Sequence, residues 1–307
     1  MVLIKKIIII SLLLSCVILA QENRTDDQSN SKNLKRFIYD KISRCTIRIE
    51  ASNQNIIHIG TGFFFSFPDV MESYNYIVIV TNKHVIHGMT KGKFLFTSFN
   101  YAGIQNDTDH FTITIDNFDK MWIMHPDSNV DLAIMPIKTL IEELDKNGFQ
   151  PFFTALDKNL IPKESDWKNF NAVEDILMVG YPIGLSDEVN NFPLFRRGIT
   201  ASHPAYNYKG KSEFIIDAAC FPGSSGSPVF LSNISNNGKY YNRDYYFLGV
   251  FHSGLEYTRD GKIVVKDVPT SPDTLGIGNI PTNLGLVTKS NRILEFESIL
   301  EKMLKRK

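Results

Sequence analysis

From Cys45 onward, short apolar runs alternate with turn signals. The runs Cys45–Ile49, Ile56–Phe65, Tyr76–Val80, Lys93–Phe99, Phe111–Ile115 and Asp131–Ile137 are rich in Ile, Val, Phe, Tyr and Thr. Such side chains fit a pleated surface, so these runs predict strands. A second series follows at Ile176–Val179, Leu194–Thr200, Glu213–Ala218, Pro228–Leu231, Tyr245–Phe251 and Lys262–Val265. Many short strands without regular intervening helices argue for an all-β barrel or sandwich and against a parallel α/β sheet. Two segments have helical spacing instead. Thr139–Lys146 ends at Asn147-Gly148, a C-terminal stop. Asn291–Lys307 places Ile293, Leu294, Phe296, Ile299, Leu300, Met303 and Leu304 on one apolar face, with basic residues in its last turn.

The beginning of the chain follows another pattern. Lys5 and Lys6 precede the apolar run from Ile7 to Leu14, which continues to Ala20. The order of positive region, short apolar core and small terminal residue predicts a signal peptide over residues 1–20. Residues 21–35 are polar and lack aromatic side chains, so they are expected to be a mobile leader. The expected location is secreted or periplasmic, without stable membrane insertion after cleavage. Leu13-Leu14-Ser15-Cys16 loosely resembles a bacterial lipobox, which leaves a lipoprotein anchored through Cys16 as the alternative.

Composition narrows the partners. Among 307 residues, 33 Lys and Arg balance 33 Asp and Glu, so no global field points to nucleic acid or an anionic membrane. After residue 20 the cysteines are Cys45 and Cys220, which an oxidising compartment could join or burial could keep as thiols. No cysteine spacing suits a metal and no glycine loop suits a phosphate, so neither metal nor cofactor is expected.

The chemistry is concentrated in three places. Phe221-Pro222-Gly223-Ser224-Ser225-Gly226-Ser227-Pro228 sets a serine pair between glycines, ahead of an apolar strand. A nucleophilic serine needs such a turn, with an exposed Oγ and main-chain amides converging on an oxyanion. Gly223 and Ser225 have the spacing to supply those amides. Upstream, the strand Ile79-Val80-Thr81 runs through Asn82-Lys83 to His84. Serine is a poor nucleophile until a base accepts its proton, and imidazole does so near neutral pH. Between them, Asp131 opens the apolar run Leu132-Ala133-Ile134-Met135, an odd place for a carboxylate without a buried partner. Its expected task is to orient the imidazole and stabilise the imidazolium. His87 as base and Asp127 as acid are the alternatives; Asp116 and Asp119 are expected to be exposed.

At this point a resemblance is visible. Thr81-Asn82-Lys83-His84 resembles the T-A-A-H element of trypsin-like serine proteases, Asn129-Val130-Asp131-Leu132-Ala133 their D-I-A-L element, and Gly223-Ser224-Ser225-Gly226-Ser227-Pro228 their G-D-S-G-G-P. The order His, Asp, Ser is that of the chymotrypsin clan. The resemblance implies a peptidase domain over residues 36–307 built as two six-stranded antiparallel β-barrels, about 40–137 and 172–290, with the C-terminal helix 291–307. It implies a serine endopeptidase acting on peptide or protein substrates, with bacterial exported trypsin-like peptidases as the nearest pattern. Gly180-Tyr181-Pro182-Ile183-Gly184 and Arg196-Arg197-Gly198-Ile199-Thr200 are similar to strands of their second barrel.

Two departures limit the analogy. Ser224 stands where animal trypsins carry an aspartate that pairs with a freed N-terminus, so a fold competent after signal removal is expected. Ala219 and Cys220 fall near the expected S1 base, where trypsin carries an acid, so Arg or Lys preference is unsupported. Glutamyl endopeptidases of the clan use a histidine on the strand matching Phe247–Gly254, but His252 is one residue out of their register. A one-residue slip reverses the face a side chain occupies. Cys220 and His252 are therefore candidate substrate contacts, the latter for an acidic P1 residue.

Overall fold

The computed structural model describes residues 38–68, 76–99, 105–232, 245–257, 263–267 and 280–305. The expected signal peptide, the leader and Cys16 lie outside the described residues.

The chain forms two β units. In the first, β1 (Thr46–Ser52), β2 (Ile57–Phe67), β3 (Tyr76–Thr81), β4 (Lys91–Phe99), β5 (Gln105–Asp116), β6 (Ile123–Met124) and β7 (Ala133–Pro136) follow the order β5-β4-β1-β2-β3-β7-β6. Two-residue strands β8 (Pro151–Phe152) and β9 (Leu156–Asp157) pair with β4 and β2, which makes this a nine-stranded sheet rather than the expected six. They come from the segment after the helix Lys138–Lys146, which returns along the sheet. In the second unit, β10 (Asp175–Gly180), β11 (Leu194–Thr200), β12 (Glu213–Asp217), β16 (Ile280–Lys289), β14 (Phe247–Tyr257) and β13 (Pro228–Leu231) pair in that order, and β13 pairs again with β10. Six strands thus close a barrel, and β15 (Ile263–Asp267) forms a hairpin with β14. Strand β16 has no apolar run in the sequence because Pro281, Asn283 and Gly285 interrupt it.

Alternation along the strands decides how the units meet. On β3, Ile79 enters the first core while Val78 and Val80 face the second unit; on β10, Ile176 and Met178 enter the second core while Leu177 and Val179 face the first. Successive side chains on a strand point to opposite faces, so a strand apolar at every position is buried on both. The unbroken run Phe63-Phe64-Phe65 of β2 follows this rule: Phe64 enters the first core, and Phe63 and Phe65 join Phe67 in a shared core with Phe230, Phe247 and Val250. Phe63 and Phe247 meet edge to face across the units, with centroids 5.3 Å apart.

The C-terminal segment caps this shared core through Ile293, Phe296 and Leu300. Its first half, Ser290–Phe296, is a 3-10 helix and only Glu297–Leu304 is α-helical, shorter than expected. The Arg292 carbonyl lies 3.2 Å from His125 Nε2, a tertiary partner that competes with an α-helical bond. Cys45 and Cys220 are both free and buried, Cys45 in the shared core and Cys220 in the second. Among the described residues no helix is long and apolar enough to cross a membrane.

Candidate active site

Strand β3 ends at Thr81, and extended Asn82 turns the chain into the short helix Lys83–Ile86 that carries His84. The Asn82 side chain makes no cap bond; its Nδ2 donates to the Asp131 carbonyl at 2.7 Å. Asp131 precedes β7 rather than lying within it, and both its carboxylate oxygens hold His84. Oδ1 accepts from the His84 main-chain N–H at 3.2 Å, and Oδ2 lies 2.5 Å from Nδ1. A carboxylate accepts only, so Nδ1 bears the proton and Nε2 keeps its lone pair as a base. Burial pushes the Asp131 carboxyl up, but the hydrogen bond and charge of His84, with the charge of His252, outweigh burial and leave it below the usual carboxylate range.

Ser225 lies in the turn between β12 and β13, with Gly223 at φ +84° and Gly226 at φ +87°. These are left-handed conformations that a Cβ opposes. The amides of Ser224, Gly226 and Ser227 donate to the carbonyls of Phe221, Phe251 and Ser224. The Gly223 and Ser225 amides have no partner among the described residues.

Thr61 of β2 joins the serine turn to the first unit. Its N–H donates to the Ser225 carbonyl at 2.9 Å, and its hydroxyl donates to the Gly223 carbonyl at 2.9 Å while accepting from the Tyr181 N–H at 3.0 Å. Its carbonyl accepts from Thr81 Oγ1 at 2.7 Å, three residues before His84. The sequence reading missed Thr61; the available signal was a lone hydroxyl between Gly60 and Gly62 in an apolar strand. Ser225 Oγ itself lies 3.5 Å from the His252 carbonyl, and among the described residues His84 Nε2 has no hydrogen bond. Catalytic hydrogen bonds are often long before substrate binds.

His252 follows Phe251 at a bulge: Phe251 pairs with Val287 and Ser253 with Leu286, so His252 is the extra residue. Its Nδ1 lies 2.8 Å from Ser253 Oγ, and its Nε2 lies 3.5 Å from Glu213 Oε1. Burial pushes the Glu213 carboxyl up, with Lys211 opposing. Cys220 packs in the second core with its Sγ donating to the Ala218 carbonyl at 3.0 Å, and burial pushes its thiol up to about 12.

The alternative site residues have other surroundings. His87 is exposed, as is Asp116, and Asp119 is half-buried. Asp127 accepts from Asn129 and Arg292. Among the described residues no group of three His, Cys, Asp or Glu could hold a metal ion.

A structurally similar HtrA-type protease, determined with a tripeptide, is 14% identical with a TM-score of 0.48; the alignment covers 85% of this chain and 62% of that one, so the chain spans less than two thirds of that relative. A serine endoprotease from Yersinia pestis is 14% identical with a TM-score of 0.45, covering 92% of this chain and 68% of that one. A protease from M. tuberculosis in its active form is 18% identical with a TM-score of 0.41, covering 89% and 90%. No curated protein sequence matches. The family model for the trypsin-like peptidase domain matches residues 60–235, more than half of the chain and a span that includes His84, Asp131 and Ser225. The chain therefore belongs to the trypsin-like peptidases.

Proposed function

We propose that the chain is an exported endopeptidase that cleaves peptide bonds by acyl transfer, with Ser225 as nucleophile, His84 as general base and acid, and Asp131 as the orienting carboxylate. The observation that carries this reading is the two-oxygen hold of Asp131 on His84, which leaves Nε2 as the basic nitrogen. The Thr61 strut brings the serine turn to the same end of β3.

In this reading Ser225 Oγ turns from the His252 carbonyl toward His84 Nε2 and attacks the substrate carbonyl carbon. Its proton passes to Nε2, and the Asp131 carboxylate stabilises the imidazolium. The Gly223 and Ser225 amides hold the oxyanion. Collapse breaks the C–N bond, and the departing amine takes the proton from His84. Water then attacks the ester with His84 as base, releasing the acid and restoring Ser225. Residues 1–20 are the export signal, and residues 36–307 the peptidase domain.

An acidic P1 residue is the finer proposal. Its carboxylate would approach His252, where Glu213 already stands, so it requires a protonated Glu213. A protonated Glu213 is favoured by the direction in which burial moves this carboxyl.

The test is a mass-spectrometric cleavage profile with labelling by an organophosphonate. Ser225→Ala is expected to abolish labelling and lower turnover by about 10⁴–10⁶-fold with the fold intact. Full turnover in that variant would refute the triad. Absence of label and cleavage in the parent chain would favour a catalytically silent binding protein on the same fold. Enrichment of Glu at P1 that disappears in His252→Ala supports the acidic preference; equal cleavage after Glu and Gln, unchanged by the substitution, refutes it.

A further inference from the structure

The turn that delivers Asp131 is tied to the far end of the chain. Arg292, in the 3-10 segment Ser290–Phe296, donates through Nη2 to Asp127 Oδ2 at 2.9 Å, and its Nε lies 2.8 Å from Glu295 Oε1. One guanidinium therefore sits between two carboxylates. Asp127 distributes that anchoring through the turn. Its Oδ1 accepts from the Asn129 N–H at 2.9 Å. Its carbonyl accepts from the Val130 N–H at 3.2 Å and from Lys83 Nζ at 2.9 Å. Val130 and Lys83 are the immediate neighbours of Asp131 and His84 in the chain.

The same turn is held from behind. The Asp127 N–H donates to His125 Nδ1 at 3.1 Å, so that nitrogen is unprotonated and Nε2 carries the ring proton. Nε2 lies 3.2 Å from the Arg292 carbonyl and 3.3 Å from Glu295 Oε2. The His125 main-chain N–H donates to the Leu132 carbonyl at 2.9 Å, which closes the turn just past Asp131. Several bonds of the turn 125–132 thus lead to Arg292, to Glu295 or to the helix bearing His84.

We propose that Arg292 is a positioning residue for the triad: through Asp127 it fixes the turn that aims the Asp131 carboxylate at His84. The proposal rests on the triad reading above. Without the guanidinium, Asp127 and Glu295 lose their common cation and the turn loses its outer anchor. Its ion pairs are only partly exposed, with one fifth of the Arg292 side chain accessible, so solvent screens them incompletely.

The experiment uses the full chain carrying Arg292→Met, Arg292→Lys, Asp127→Asn, or Arg292→Met with Asp127→Asn. Methionine keeps the apolar stem and removes the charge. Turnover is normalised to phosphonate-titrated sites, so unfolded protein does not count. The far-downfield proton resonance of His84 Nδ1 is recorded for each variant, also in the Ser225→Ala background, because it reports the His84–Asp131 bond without turnover. Arg292→Met is expected to lower kcat about 10-fold with little change in KM, since small misplacements at a catalytic group cost up to about 10²-fold. The resonance should broaden, lysine should restore part of both, and the double variant should be no worse than Arg292→Met alone. Unchanged kcat per site with an unchanged resonance, while the denaturation midpoint falls, would overturn the proposal and leave Arg292 a structural role only. Failure of the triad reading is seen separately, as persistent activity in Ser225→Ala, and the resonance still decides for or against Arg292.

Discussion

Replacing Gly226 by alanine should disable the site more than it unfolds the protein. Gly226 has φ +87°, and a Cβ built there would lie 1.9 Å from the Thr61 carbonyl oxygen and 2.6 Å from Thr81 Oγ1. The nearer atom is backbone, so no rotamer change relieves the contact. The serine turn and β2 must part by roughly 1 Å or more, a scale at which catalytic misplacement costs about 10²-fold in rate. Holding alanine in a left-handed conformation costs about 1–2 kcal/mol and the overpacking about 1–3 kcal/mol. The expected loss of unfolding free energy is then about 2–5 kcal/mol. Gly88→Ala is the control: its φ is +73°, but nothing lies within 4 Å of the added carbon, so it should cost only the conformational part, about 1–2 kcal/mol, with normal turnover. Urea denaturation gives the stabilities, and turnover per phosphonate-titrated site gives the activities. Normal turnover in Gly226→Ala, or an equal stability loss in Gly88→Ala, would refute the reasoning.

Two further outcomes follow from buried polar groups. Thr61→Val keeps the shape but strands the Gly223 carbonyl and the Tyr181 N–H, at about 1–3 kcal/mol for each unsatisfied group; denaturation midpoint and turnover should fall together, and a midpoint equal to the parent would contradict the strut. Burial holds the His125 imidazole below its ordinary value of 6.5, against the opposing charge of Glu295. The unfolded chain therefore takes the proton first on acidification, so unfolding free energy should drop as pH falls through about 6.5 and level off only below the folded pKa. Asp127 and Asp131 titrate below 3.8, outside this window. The decline measured by urea titration between about pH 6.5 and 5 should be shallower in His125→Gln; an identical slope would count against it.

Much of the candidate site was legible because its signals are local. A histidine just past a strand end, an aspartate before an apolar strand and a serine between glycines each show in a few neighbouring residues. The residues that hold them together were not legible. Thr61 and Ser225 are far apart in sequence, as are Asp127 and Arg292, and no spacing rule links them. The bulge at His252 depends on how β14 meets β16, and β16 itself was hidden by its turn-forming residues. The apolar runs pointed to an all-β architecture and the family resemblance to two barrels, but β8 and β9, at two residues each, were below any pattern. The helix Glu164–Lys168 was also too short to show.

The proposed mechanism divides the reactive groups between two units, with a consequence for the nascent polypeptide. His84 and Asp131 come from one unit and Ser225 from the other, and Phe63, Phe247 and Thr61 lie along the seam. A molecule that has organised only its first half holds a proton acceptor with nothing to deprotonate. One that has organised only its second half holds an alcohol too weakly reactive to attack an amide. In that mechanism peptide-bond cleavage therefore requires both halves closed on each other.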